Sequence, residues 1–245
     1  MLRSLQSFRY LKKNTIIHNL DPRSKMLFVI LLSFLIFISN NIITLSLIMF
    51  LVIITAYAAK SISQLLKMLK GILPWIIFIF VVNYFTSEKG ILIATIMSLK
   101  FTALATVFTL FFITTSPEDF MLALNKLGLP YEYTLAFTMA MRFVPSLARD
   151  LQIIIDAQKS RGLELEKGNF IERIRRYIPI LVPLIVYEIR RSFMIAEALE
   201  SRAFGSTKRT FYYELKITKN DILFIIFSCI IAMVLYLIEV FFKLF

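Results

Sequence analysis

Five apolar runs and one charged block of about a hundred residues, 117–220, constrain this chain more than any motif in it. The runs are Met26–Ile38, Ile42–Ala59, Ile72–Phe85, Ile91–Thr115 and Ile222–Val240, and the block falls between the fourth and the fifth. Apolar residues make up 58% of the 245, and Phe alone supplies 24, more than a water-soluble domain of this length hides. The excess must face lipid. Unbroken runs of this kind satisfy their own backbone only as helices, whereas barrel strands need short alternating segments. The expected fold class is an all-α integral membrane protein, a transmembrane helical bundle with long amphipathic cytosolic helices.

Charge sets the expected orientation. Arg3, Arg9, Lys12, Lys13, Arg23 and Lys25 stand against Asp21 at the N-terminus, and Lys60, Lys67 and Lys70 follow the second run, while the Asn40-Asn41 turn between them is uncharged. By the positive-inside rule the N-terminus is cytosolic and the chain is a multi-pass protein of the cell membrane. The expected domains are a cytosolic N-terminus (1–25), four transmembrane helices (26–116), a cytosolic block (117–220), and a fifth transmembrane helix with a short tail outside (221–245). The same rule accounts for much of the net charge of +12 without nucleic acid. No small-residue cleavage site follows the first run, so the N-terminus is read as retained.

Asp21 and Pro22 open the first helix as cap and first residue. Ser61–Lys70 carries apolar residues at 62, 65, 66 and 69 and is expected as a helix on the membrane surface, with Gly71 and Pro74 breaking into the next run. Lys100, inside the fourth run, is expected to snorkel towards the outer headgroups. Cys229 is the one cysteine and His18 the one histidine, so no disulfide within the chain and no metal site is expected.

Within the block, Ser116 caps a short helix over Pro117–Asn125, and Leu127-Gly128-Leu129-Pro130 stops it. A long helix is expected from Tyr131 to Arg161 with a bend at Pro145, then a loop around Glu164–Asn169. Another runs from Phe170 to about Arg202, where Pro179 and Pro183 bend it or divide it in two. Two phrases echo each other at the ends of these helices, Asp156-Ala157-Gln158-Lys159-Ser160-Arg161-Gly162 and Glu197-Ala198-Leu199-Glu200-Ser201-Arg202-Ala203. Small neighbours let a helix end sink into a groove on another protein, and Arg then offers a rigid fork of donors to carboxylates. The candidate docking residues are Ser160, Arg161, Gly162, Ser201, Arg202 and Ala203. Ala203 adopts a left-handed cap less cheaply than Gly, so the second helix end is expected to differ in shape.

The chain resembles the transmembrane T component of energy-coupling factor (ECF) transporters, the vitamin and metal-ion importers, over nearly its whole length. The resemblance is carried by Leu20-Asp21-Pro22-Arg23-Ser24-Lys25, Arg142-Phe143-Val144-Pro145, Pro183-Leu184, and two short Ala-Arg-Gly-type motifs. These motifs appear as Ser160-Arg161-Gly162 and Ser201-Arg202-Ala203, with Ser in the leading place twice and Ala in the second glycine place. The resemblance implies a non-catalytic scaffold whose coupling helices rest on two ABC-type ATPase subunits, one arginine motif to each, and whose membrane part holds a substrate-binding S component. ATP and Mg would be bound by the partner ATPases and no cofactor by this chain. It has no phosphate-binding loop: Gly is scarce and no Gly-Lys-Ser/Thr ending is present.

Three rivals fit less well. An intramembrane enzyme needs paired acids, a His cluster or an activated Ser at membrane depth, and the apolar runs offer Lys100 and scattered hydroxyls. A secondary transporter needs internal duplication and midplane ionisable groups. An S component, or another multi-span transporter subunit, leaves the charged block unexplained.

Overall fold

The structure, a computed structural model, describes residues 15, 17–87, 90–164, 169–205 and 217–244. The basic residues of the first 14 positions, most of the expected loop after Glu164, Ser206 and Phe245 lie outside the described residues. Among the described residues there are eight α-helices and no strand: α1 (Pro22–Ile38), α2 (Ile42–Ala58), α3 (Ile62–Thr86), α4 (Gly90–Thr114), α5 (Pro117–Lys126), α6 (Tyr131–Ser160), α7 (Phe170–Glu200) and α8 (Lys219–Leu244). The chain divides into two compact units. One is Arg3–Thr134 with Leu215–Phe245, and the other is Leu135–Glu214.

In the first unit the helices start where their caps place them. The Asp21 carboxylate accepts the Arg23 N–H at 2.9 Å with Pro22 in the first turn, Asn41 accepts the Ile43 N–H at 3.1 Å, and the Ser116 hydroxyl accepts the Asp119 N–H at 3.0 Å. The core lies among α1, α2, α4 and α8, where Leu32, Ile36, Leu45, Ile48, Val52, Ala103 and Val107 are buried. The outward face is apolar too, with Phe34, Phe37, Phe50, Trp75 and Phe85 all exposed, which only a lipid surround tolerates on this scale. Among the described residues three helices are long and apolar enough to cross a bilayer, namely α3, α4 and the Lys219–Phe241 part of α8. Helices α1 and α2, at 17 residues, rise only about 25 Å and sit at the short limit for a crossing.

Pro74 does not break the third run. Helix α3 is continuous from Ile62 to Thr86, so the separate surface helix expected over Ser61–Lys70 is its first part. A proline removes one ladder bond, whereas a broken helix in lipid would strand several backbone groups. Similarly, α5 belongs to the first unit by packing, with Phe120 against Phe111 at 5.7 Å, although it lies in the charged block of the sequence.

Helix α8 carries a buried carboxylate at each end, and both bind α1. Asp221 accepts the Asp21 N–H at 2.6 Å, and its other oxygen accepts the N–H and hydroxyl of Thr218 at 2.7 and 2.6 Å. One side chain thus caps α8 and ties it to the start of α1. Glu239 accepts the Ser39 hydroxyl at 2.7 Å, the Asn40 N–H at 3.0 Å and the Thr44 hydroxyl at 2.8 Å, holding the α1–α2 turn. Asp21 meets Asp221 and Ser39 meets Glu239, so α1 and α8 run parallel and in step. Each pair of ties is about 27 Å apart along its helix, close to the hydrocarbon thickness of a bilayer. Lys100 reaches the same turn, donating to the Phe37 carbonyl at 3.2 Å and to the Asn40 side chain at 2.9 Å. Its ammonium therefore sits at the C-terminal end of α1, where the helix dipole favours a cation.

Replacing Glu239 by Ala strands three donors at once and should lower the stability of the purified protein by about 3 kcal/mol. Glu239→Gln keeps one acceptor oxygen and should cost less, the order being read from thermal unfolding in detergent.

Candidate functional site

The second unit is built from two long helices. Both are continuous through their prolines: α6 passes Pro145, and α7 passes Pro179 and Pro183 without dividing. Arg191 of α7 joins them. Its guanidinium donates to the Asp150 carboxylate at 3.1 Å and the Ser146 hydroxyl at 3.0 Å, and lies 5.1 Å from the centre of the Phe143 ring. Phe143, Ser146 and Asp150 are spaced to share one face of α6. A second link lies towards the other end, where Gln158 donates to the Pro179 carbonyl at 3.2 Å, and Arg176 donates to the Glu164 carbonyl at 2.7 Å. Rising numbers on α6 meet falling numbers on α7, so the helices are antiparallel.

The two candidate ends close with the same pair of reverse bonds. At the first, the Leu163 N–H reaches back to the Gln158 carbonyl at 3.0 Å and the Gly162 N–H to Lys159 at 2.9 Å. At the second, the Phe204 N–H reaches the Leu199 carbonyl at 3.0 Å and the Ala203 N–H reaches Glu200 at 2.9 Å. Both are left-handed helix stops in which a residue of positive φ turns the chain back on the last carbonyls. Gly162 has φ of 87° and Ala203 has φ of 59°. The expected difference in shape is therefore corrected: Ala203 takes the left-handed conformation despite its Cβ, because the paired reverse bonds and the apolar residue that follows hold it there.

Arg161 and Arg202 occupy the same position in this motif, the residue just before the left-handed one. Ser160, Arg161, Gly162, Ser201, Arg202 and Ala203 are all exposed. The Ser160 and Ser201 hydroxyls bond back into their own helices, to the Asp156 carbonyl at 3.0 Å and the Ala198 carbonyl at 3.0 Å. Among the described residues neither guanidinium is held in an ion pair. The helices being antiparallel, the two ends lie at opposite extremes of the pair. The stretch from Pro179, beside the first end, to Arg202 rises about 35 Å at 1.5 Å per residue. The sequence brought out the two arginines. It did not bring out Gln158 or Arg191, whose partners on the facing helix are 21 or more positions away.

A family model described as cobalt transport protein, CbiQ, matches residues 13–213. The energy-coupling factor transporter transmembrane protein EcfT of Brevibacillus brevis is 33% identical over 265 residues, covering 96% of this chain and 98% of the relative. Those of Staphylococcus aureus and Bacillus subtilis are 31% and 30% identical, covering 94% and 96% of this chain and 96% and 98% of the relatives. This chain belongs to the family of ECF transporter transmembrane proteins. As an ECF T component it is a membrane subunit of a transporter complex, and its all-helical fold with a lipid-facing apolar exterior is that of such a subunit.

The caps of this T component can be exchanged. Nothing lies within 4 Å of a Cβ added at Gly162, so Gly162→Ala meets only the cost of positive φ, about 1 kcal/mol. Ala203→Gly removes the same cost. Amide exchange at Leu163 should quicken about fivefold in the first variant and that at Phe204 should slow about fivefold in the second, as measured by hydrogen–deuterium exchange.

Proposed function

We propose that this T component couples ATP hydrolysis by two partner ABC-type ATPases to movement of a membrane-embedded, substrate-binding S component, for uptake of a vitamin or metal ion. One ATPase rests against Arg161 and the other against Arg202. ATP and Mg belong to the ATPases, and this chain performs no catalysis. The observation that carries the reading is the repetition of one exposed, arginine-bearing helix stop at opposite extremes of an antiparallel pair. Two equivalent ends suit two related partners. A guanidinium free of ion pairs among the described residues is available for a carboxylate in a partner groove, and its planar fork suits bidentate contact.

The apolar surface of α7 and the course of the membrane helices support the same reading. Ile171, Ile174, Ile178, Leu181, Ile185 and Ile189 recur at helical spacing and are exposed along α7, a stripe suited to the S component. The parallel run of α1 and α8 fits a chain of five crossings with a cytosolic N-terminus and an outer C-terminus. In this arrangement the prolines at 145, 179 and 183 set the shape of two stiff levers.

Reversing both charges, Arg161→Glu with Arg202→Glu, should abolish capture of the ATPases while the membrane unit keeps its thermal transition. Either replacement alone should weaken capture by more than a charge reversal elsewhere on α7, since truncating one partner of a desolvated charge pair costs roughly 2–5 kcal/mol. Undiminished ATPase recovery with both arginines reversed would rule the docking roles out.

A further inference from the structure

Pro183 interrupts the hydrogen-bond ladder of α7 without ending the helix. A helical proline has no N–H for the carbonyl four residues earlier, which here is that of Pro179. A regular helix offers its neighbours carbonyls that are already occupied. This one is vacated at a fixed place, and Gln158 of α6 donates its side-chain amide to it at 3.2 Å. The carbonyl of the same Gln158 accepts the Leu163 N–H and so closes the stop that carries Arg161. One residue is therefore bonded through its backbone to the arginine turn and through its side chain to the neighbouring helix.

The other end lacks the counterpart. Leu199 stands where Gln158 stands, and its carbonyl closes the second stop in the same way, with the Phe204 N–H at 3.0 Å. Its side chain has no donor. The two stops share their pair of reverse bonds, and at this position the side chains part: an amide donor faces the proline-vacated carbonyl at the first end, and Leu199 stands at the second. Half-buried Gln158 and exposed Pro183 contribute nothing to an apolar core that would explain them otherwise.

We propose that Gln158 and Pro183 form a positioning lock for the Arg161 end alone, so that the two arginine ends meet their ATPase partners with unequal rigidity. The Arg161 turn is tied to α7 from within its helix stop by Gln158, with Arg176 holding the Glu164 carbonyl just beyond it, and Leu199 offers the Arg202 turn no equivalent bond. The proposal rests on the docking reading above. It adds that the two docking sites are not interchangeable, although their stops have the same shape, and that Gln158 and Pro183 act through Arg161 and not by touching a partner.

The test uses the full-length chain in lipid nanodiscs, titrated with purified ABC-type ATPase subunits from the same organism. In an Arg202→Glu background, capture depends on the Arg161 end. There Gln158→Leu should weaken affinity three- to tenfold, as expected for loss of one neutral hydrogen bond. Pro183→Ala should do the same, because alanine at that position restores an N–H that takes the Pro179 carbonyl back. The double variant should be no weaker than either single one, since both remove one bond. Gln158→Lys keeps a donor of similar reach and should restore affinity. In an Arg161→Glu background the same changes should have no effect. Losses that multiply in the double variant, or that are equal in the two backgrounds, or that are absent from the first, overturn the lock. Leu and Ala are both good helix formers, so the variants keep their helices. If neither arginine reversal alters ATPase binding, it is the docking reading that fails. The lock is then read from spin labels at Leu163 and Ile174 in an Arg176→Ala background, which removes the neighbouring bond to the Glu164 carbonyl; there the distance distribution should broaden in Gln158→Leu and is unchanged if there is no lock.

Discussion

Arg191 gives the two long helices their common register, and the placement of both candidate docking ends depends on it. Its fork binds Asp150 and Ser146 while its face covers Phe143, so three residues on one face of α6 fix one residue of α7. A lysine could not replace it, because a point charge neither spans two acceptors nor stacks on a ring. Arg191 and its acid partner are each about one-quarter exposed, which places the pair between a screened surface bridge and a costly buried one. A hydrogen-bonded charge pair with a ring beneath it contributes about 2 kcal/mol in such a setting. Direction and register follow from this contact together with the Gln158 bond further along. Without them the equal helix stops would be two unrelated features of the surface.

The membrane unit is organised by the same means. Apolar contact between helices gains little when lipid is equally apolar, so specific polar links decide which helices lie side by side. Asp221 and Glu239 do this for α8 and α1, one at each end. Their acceptors are filled by hydroxyls and backbone N–H groups, mostly of helix starts and turns that would otherwise be short of partners. The apolar stretch between them can then pack by shape, as Phe28 does against Phe224 at 5.3 Å.

Much of this was readable from the residues, and the misses share a cause. Caps are local: Asp21-Pro22, Asn41 and Ser116-Pro117 begin helices where their chemistry requires. The ends of α6 and α7 fall within a residue or two of the arginines. Pro74 misled, because a proline costs one bond wherever it sits, and whether the helix survives depends on what surrounds it. Pro74 lies in a helix whose remaining bonds outweigh that loss, and of the two outcomes expected at Pro179 and Pro183 the division of α7 does not occur. Ala203 misled in the same way, since its left-handed cost is offset by bonds to residues already fixed in α7. Thr218-Lys219-Asn220-Asp221 has the spacing of a capping box and would have placed the start of α8 earlier than Ile222. Glu239 and Arg191 gave no local sign. The partners that join them to other helices are about 200 positions away for Glu239 and 41 and 45 for Arg191, whose contact with Glu188 stays within α7 and points to no neighbour.

The central claim is that one antiparallel pair holds two like arginine ends far apart and at a fixed separation. Pulsed electron resonance between spin labels placed at Ser160 and Ser201, beside the arginines, measures that separation in the full-length protein in lipid. The account predicts a single narrow distribution centred at roughly 35–40 Å, which broadens when Arg191 is replaced by Ala. A distribution centred below about 25 Å, or one that is flat before Arg191 is touched, would contradict it.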